Sequence, residues 1–195
     1  MTTHALTLPS SCQTGLKEWA TVLEAMARGE QLVLIRKGGL IEPSSGFELI
    51  APAFVFYPTF EHQAVRFLRE PFSSYFDQAR GHRAPEGHVR FDLVGLAVRS
   101  VASQTADVVQ RLAASHIYNE EFLIQRLKWQ PKQPLMVVVV RTFRLAQPVQ
   151  VSVPPHYAGC TSWVALDHAV SLDGAQPVLT DAQFYQRLQG LDGLL

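Results

Sequence analysis

At 195 residues, 47% of them hydrophobic, the chain is long enough to bury one substantial core and short for two. Lys plus Arg and Asp plus Glu both number 17, so no global charge draws in nucleic acid or an acidic membrane, and any such binding must come from a local patch. Two cysteines, Cys12 and Cys160, the lack of a secretory-type leader in Met1 to Ser11, and a longest apolar run of only Leu135 to Val140, where a membrane span needs about 20 residues, predict a cytoplasmic protein with free thiols and no membrane partner.

In chain order, residues 1–13 read as a flexible N-terminus. From Leu16 to Arg28 the apolar residues recur at helical spacing, which predicts an amphipathic helix capped by Thr14 and ended by Gly29. Leu32 to Ile35 is apolar on both faces and reads as a buried central strand. Arg36 and Lys37 then leave on opposite faces, so only one of them is expected in a shared pocket: Arg36, with Lys37 at the surface. Gly38-Gly39 and Pro43 to Gly46 allow turns. Strands are predicted at Phe47 to Leu49 and Phe54 to Tyr57, and a helix at Phe60 to Arg69. Residues 71–88 are polar and punctuated by Gly and Pro, and read as a mobile loop. Val89 to Ala102 reads as a long strand, and Thr105 to Ala114 and Asn119 to Trp129 as helices. Leu135 to Leu145 reads as a strand continued by Val149 to Val153, and Ser162 to Leu166 as a final strand. Thr180 and Gln183 form a capping box before a helix at Asp181 to Leu188.

Candidate chemistry starts at Arg36 and Lys37, with Glu42, His62 and Gln63 nearby in sequence. Cations beside glycines suit an oxyanion, because bare backbone lets an anion approach the peptide N–H groups while Arg supplies a bidentate fork. The alternative is a solvated turn with Arg36 paired to a carboxylate. Arg141 shares a strand face with Val139, Phe143 and Leu145, so it must be paired, reach the surface, or point into a pocket. Around Cys160, His156, Ser162 and Trp163 lie close in sequence, yet no nucleophile signature is met, which favours structural roles. Arg66, Arg69, Arg80, Arg83 and Arg90, interleaved with Phe67, Phe72, Tyr75 and Phe76, could form a nucleic-acid stripe or a solvated face. No Cys-x-x-Cys or His-Glu-x-x-His spacing occurs, so no metal or other cofactor is expected. Magnesium is the alternative, held by carboxylates drawn from Glu24, Glu42, Glu48 and Asp92, although no Asp followed by Glu-x-Lys on adjoining strands is present.

Several separated segments resemble one family. Leu16-Lys17-Glu18-Trp19, Glu24-Ala25-Met26, Ile35 to Glu42, Phe56-Tyr57-Pro58-Thr59 with His62-Gln63, Leu127 to Pro131, Arg141 to Leu145 and Gly159 to Val164 are similar to the bacterial domain-of-unknown-function family numbered 1802. That resemblance implies a link to restriction-endonuclease-like domains and hence to DNA handling or defence. A fainter similarity runs to ASCH domains, which implies a PUA-like β-barrel that binds RNA or hydrolyses modified nucleosides. Gly29 and Arg36 match the separation in its Gly-x-Lys-x-x-Glu-x-Arg pattern, but Gln31 replaces the lysine and Leu34 the glutamate.

The expectation is therefore one α+β domain over residues 1–195, with a mixed, largely antiparallel sheet or a small PUA-like barrel flanked by helices. Its expected role is binding of nucleic acid or a nucleotide through Arg36, Lys37, His62, Gln63, Arg141, Ser162 and Trp163. A hydrolase using Glu42 and His62 as catalytic groups is the alternative. A third possibility is a homodimer that pairs through Val137 to Val140 or through Phe54, Phe56 and Tyr57 as a free strand edge.

Overall fold

The computed structural model describes residues 7–37, 47–103, 105, 107–159 and 161–193. Its strands are β1 (Ser11–Trp19), β2 (Val33–Arg36), β3 (Ala53–Thr59), β4 (His88–Ser103), β5 (Leu135–Ser152), β6 (Trp163–Ser171) and β7 (Gln176–Pro177). The helices are α1 (Ala20–Ala27), α2 (Tyr75–Gly81), α3 (Asp107–Arg111), α4 (Glu120–Lys128) and α5 (Asp181–Gln189). The strands form one open mixed sheet in the order β2-β5-β4-β3-β1-β6, with β7 beside β5. Only β1 and β3 run parallel. Of the two architectures the sequence left open, the α+β domain with a largely antiparallel sheet is the one formed.

Side-chain alternation gives the sheet two apolar faces. On β3, Phe54 and Phe56 enter the core shared with the helices, while Val55 and Tyr57 enter a second cluster with Phe91, Phe143 and Val164. The sheet also curls. Arg36, at the end of edge strand β2, reaches Ser162 immediately before the opposite edge strand β6.

Several local expectations are corrected. Ser11 to Gln13 belong to β1 rather than to a loose terminus, and the helix begins only at Ala20. Leu16 pairs with Phe56 on one side and Trp163 on the other, and burial on both faces hides the strand's period. Thr14 therefore caps nothing; Gln63 takes that part, its Oε1 accepting from Thr21 N and Oγ1 at 3.2 and 2.9 Å. Gly29 does end the helical stretch, at φ +71°. The strand β2 is buried but lies at the sheet edge, not its centre. Phe47 to Leu49 is not a strand, and Trp163 Nε1 holds it by donating to Glu48 O at 2.9 Å. Residues 60–69 make only a 3-10 turn at Val65–Phe67, because Ala64 is extended and Pro71 opens a second turn.

The region expected as a mobile loop carries α2, docked on α1 by polar contacts: Tyr75 Oη donates to Glu30 Oε2 at 2.6 Å, and Arg28 Nη2 donates to Gln78 Oε1 at 2.6 Å. Val149 to Val153 continues the Leu135 to Leu145 strand as expected, within β5, where Arg144 pairs with Leu93 and Val149 with Phe91, so Pro148 falls in a bulge opposite Asp92. Both expected dimer edges are interior: β5 lies between β2 and β4, and β3 between β4 and β1. Among the described residues, no helix is long and apolar enough to cross a membrane.

Candidate functional site

A cleft of about 1720 Å³ opens where β1, β2, α1 and α4 meet, and it continues along α2 and the start of β4. Its buried carboxylate is Glu18, the penultimate residue of β1 and 5% exposed. Backbone and side chain both hold it. Glu18 Oε1 accepts from Trp19 N at 2.8 Å, Oε2 pairs with Arg36 Nη1 at 3.1 Å, and Thr59 Oγ1 donates to its carbonyl at 3.1 Å.

Arg36 is placed by the curl of the sheet. Besides Glu18 it donates to Lys17 O at 3.0 Å and to Ser162 Oγ at 2.6 Å, and its guanidinium lies 5.2 Å from the Phe47 ring centre. Lys37 follows it but is not a surface residue: it is 2% exposed and lines the same cleft. Its Nζ donates at 2.6 Å to Leu127 O, one of the final-turn carbonyls of α4, where a cation is favoured by the helix dipole. The chain twists as it leaves β2, so the opposite-face expectation, which holds for a regular strand, fails at its end. Burial and then the nearby Arg126 lower the Lys37 pKa from the usual 10.5.

Arg126 is the residue sequence reasoning missed. It projects from α4 into the cleft, with its guanidinium 5.2 Å from the Phe122 ring centre one turn back. Among the described residues it has no hydrogen-bond or ion-pair partner. Burial, and then repulsion from Arg36, lower its pKa. A basic residue in the last turn of a helix ordinarily reads as a solvated cap. The only hint was that Leu127 to Pro131, just after it, belongs to one of the segments that carried the family resemblance. Arg36, paired with Glu18, thus shares the cleft with Lys37 and Arg126, and the excess positive charge sits partly desolvated.

The remaining candidates divide. Ser162 is 4% exposed and lines the cleft as the acceptor of Arg36. His62 lies exposed on the rim at φ +64°, a left-handed conformation uncommon outside glycine, and has no partner among the described residues. Gln63 is occupied in capping α1, and Trp163 packs against Phe47 and Phe54, so both support the walls from behind. Arg141 is elsewhere. Although it was expected in the binding set, it pairs with Asp181 and lies over Phe143 and Phe184, one of the three outcomes open to an arginine on an apolar face. Glu42 and Cys160 fall outside the described residues. The arginine stripe is largely spent on neighbours: Arg66 on Phe67 and Glu121, Arg69 on Phe72, Arg80 on Phe76, and Arg90 on Asp92.

One further pair at the cleft drew no notice in the sequence. Glu24 on α1 and His82 after α2 meet with Nδ1 to Oε1 at 2.6 Å, a contact made only because α2 docks there. Among the described residues, no group of three His, Cys, Asp or Glu could hold a metal ion.

A family model described as a domain of unknown function, DUF1802, matches residues 15–190. The chain belongs to the DUF1802 family. That match spans β1 to α5, so every described cleft residue of this DUF1802 domain lies inside it. No curated protein matches the sequence. Among solved structures, ASCH from Zymomonas mobilis is similar at TM-score 0.40 and 12% identity, covering 91% of this chain and 94% of that one. A mutant of the same ASCH protein is similar at TM-score 0.39 and 12% identity, covering 94% and 99%.

Proposed function

We propose that this DUF1802 domain binds a phosphate-bearing ligand, a nucleic acid or a nucleotide, in the cleft around Glu18. One observation carries the reading: three cations, Arg36, Lys37 and Arg126, line one cleft, Arg36 is paired with Glu18 and Lys37 with a helix carbonyl, and Arg126 keeps its hydrogen-bonding capacity unspent among the described residues. A guanidinium in a partly desolvated site is stabilised by an anion that accepts its fork of N–H groups. Because the net charge is zero, binding depends on this patch and weakens with salt, by roughly tenfold between 50 and 200 mM if about two phosphates are neutralised. Nucleic acid rather than a free nucleotide is the ligand if the link to DNA handling or restriction implied by the family resemblance holds.

Binding of single- and double-stranded DNA, RNA and nucleotides at two salt concentrations tests the reading. Arg126→Ala is the variant of choice, since its side chain makes no hydrogen bond or ion pair among the described residues; it is expected to weaken binding by about tenfold or more. Failure of every ligand to bind the wild type at low salt sinks the proposal.

A second reading, hydrolysis of a phosphodiester or a modified base, is favoured by the Glu24–His82 pair, in which a carboxylate holds Nδ1 and leaves Nε2 available as a base. His62 on the rim is a second base for the same reading, with Glu42 and, in the metal-dependent form, magnesium as its partners.

A further inference from the structure

The last turn of α4 places an aromatic ring beside the cation cluster. Trp129 follows α4 directly, three residues after Arg126, so the two side chains emerge on the same side of the helix, and both line the cleft. Lys37 is bonded to Leu127 O, between them in sequence. Arg126, Lys37 and Trp129 therefore belong to one corner.

Trp129 differs from the other two tryptophans. Trp19 is buried among Phe67, Tyr118 and Phe122, and Trp163 donates its indole N–H to Glu48 O. Trp129 is 41% exposed, and among the described residues neither face of its ring stacks on another aromatic and its N–H has no acceptor. Its corner is also conformationally costly: Gln130 has φ +43°, and its buried Oε1 lacks a partner. A partly exposed indole is thus held at a strained turn beside Arg126, whose donors are unspent among the described residues.

Resting on the proposed phosphate-binding cleft, we infer that Trp129 is a stacking platform for a nucleobase whose phosphate is held by Arg126 and Lys37. The ligand is then an unpaired base carrying a phosphate, in a single strand or a free nucleotide. A base inside a duplex already has both faces covered and cannot lie on the ring. Every base has a π-face, so the platform is tolerant of sequence, and its contribution adds to that of the cations.

Intrinsic fluorescence titration of the full chain at low salt tests this with four probes: adenosine 5′-monophosphate, ribose 5-phosphate, a hexathymidylate strand and its abasic counterpart. Base-bearing probes are expected to quench the emission that disappears in Trp129→Phe, and to bind about tenfold or more tightly than their baseless counterparts. Trp129→Ala should remove that advantage while leaving ribose 5-phosphate binding unchanged, and Trp129→Phe should keep most of it. Tighter binding of the hexamer supports a strand as the ligand, and tighter binding of the monophosphate supports a free nucleotide. If base-bearing and baseless probes bind alike, or Trp129→Ala leaves the advantage intact, stacking is overturned and the anion cleft stands. If no probe binds the wild type, the cleft reading fails and stacking fails with it.

Discussion

Arg36 Nη2 donates to Ser162 Oγ at 2.6 Å, so a side chain rather than a backbone ladder joins the two edges of the curled sheet. The same guanidinium neutralises Glu18 and bonds Lys17 O. With these acceptors in place, Arg36 is a clasp before it is a ligand group. Arg36→Ala leaves a buried carboxylate uncompensated and is expected to cost about 3–5 kcal/mol. Ser162→Ala should cost about 1 kcal/mol. Urea denaturation midpoints measure both. Arg36→Met combined with Glu18→Leu should recover most of the loss, since the unpaired charge is gone. An Arg36→Ala protein as stable as the wild type would show that the clasp contributes nothing.

His116 makes stability depend on pH. It is 1% exposed, its Nε2 lies 3.0 Å from Val109 O, and its Nδ1 accepts from Tyr118 N at 3.2 Å, so both ring nitrogens are used by the neutral form. Burial lowers its pKa from 6.5 to about 4. Between those values the unfolded chain takes up a proton that the folded chain refuses. The contribution to stability is therefore complete above pH 6.5 and is lost as pH falls towards 4, by about 3 kcal/mol in all. Denaturation at a series of pH values should show that slope, and His116→Gln should flatten it over this window. Equal slopes in the two proteins would refute the assignment.

Legibility of the sequence followed how each segment is stabilised. The strands β4 and β6, the helix α4, and α5 with the Thr180–Gln183 box were readable because apolar patterning and capping are local. The strand at Leu16 to Trp19 was not, because a strand paired on both sides and buried on both faces shares its composition with a helix. The helix α2 was not, because its apolar contacts are few, Tyr75, Phe76 and Ala79, and polar contacts of Tyr75, Gln78 and the following His82 complete its docking. At the site, Arg36 and Ser162 were each readable as binding candidates, but nothing in the sequence joined the two. Arg126 was not: its significance comes from Lys37 and Glu18, which are distant in sequence and adjacent only after the sheet curls.

Gly95 is needed at the centre of the sheet for lack of space rather than for conformation. A Cβ there would lie 2.7 Å from Phe54 Cε2 and 2.9 Å from Val140 Cγ1, both in buried side chains. Gly95→Ala should cost about 1–3 kcal/mol through overpacking. Trimming the obstacle tests the cause: in a Phe54→Leu background the same substitution should cost clearly less, giving a coupling of about 1 kcal/mol in a double-mutant cycle. Additive effects would mean that the clash relaxes elsewhere.

His62 separates strain from use. Its exposed side chain contributes no contact among the described residues, while its φ of +64° is unfavourable for any residue with a Cβ. His62→Gly relieves that strain and is expected to raise stability by up to about 1 kcal/mol, whereas His62→Ala keeps the Cβ and should leave stability nearly unchanged. Both remove the imidazole. In a screen for phosphodiester cleavage with magnesium or manganese, a protein that uses this ring as a base should lose activity in both variants, about a hundredfold or more. His82→Ala should do so instead if the Glu24-held imidazole is the base. Activity that survives both His62→Ala and His82→Ala would remove the two histidines from the chemistry.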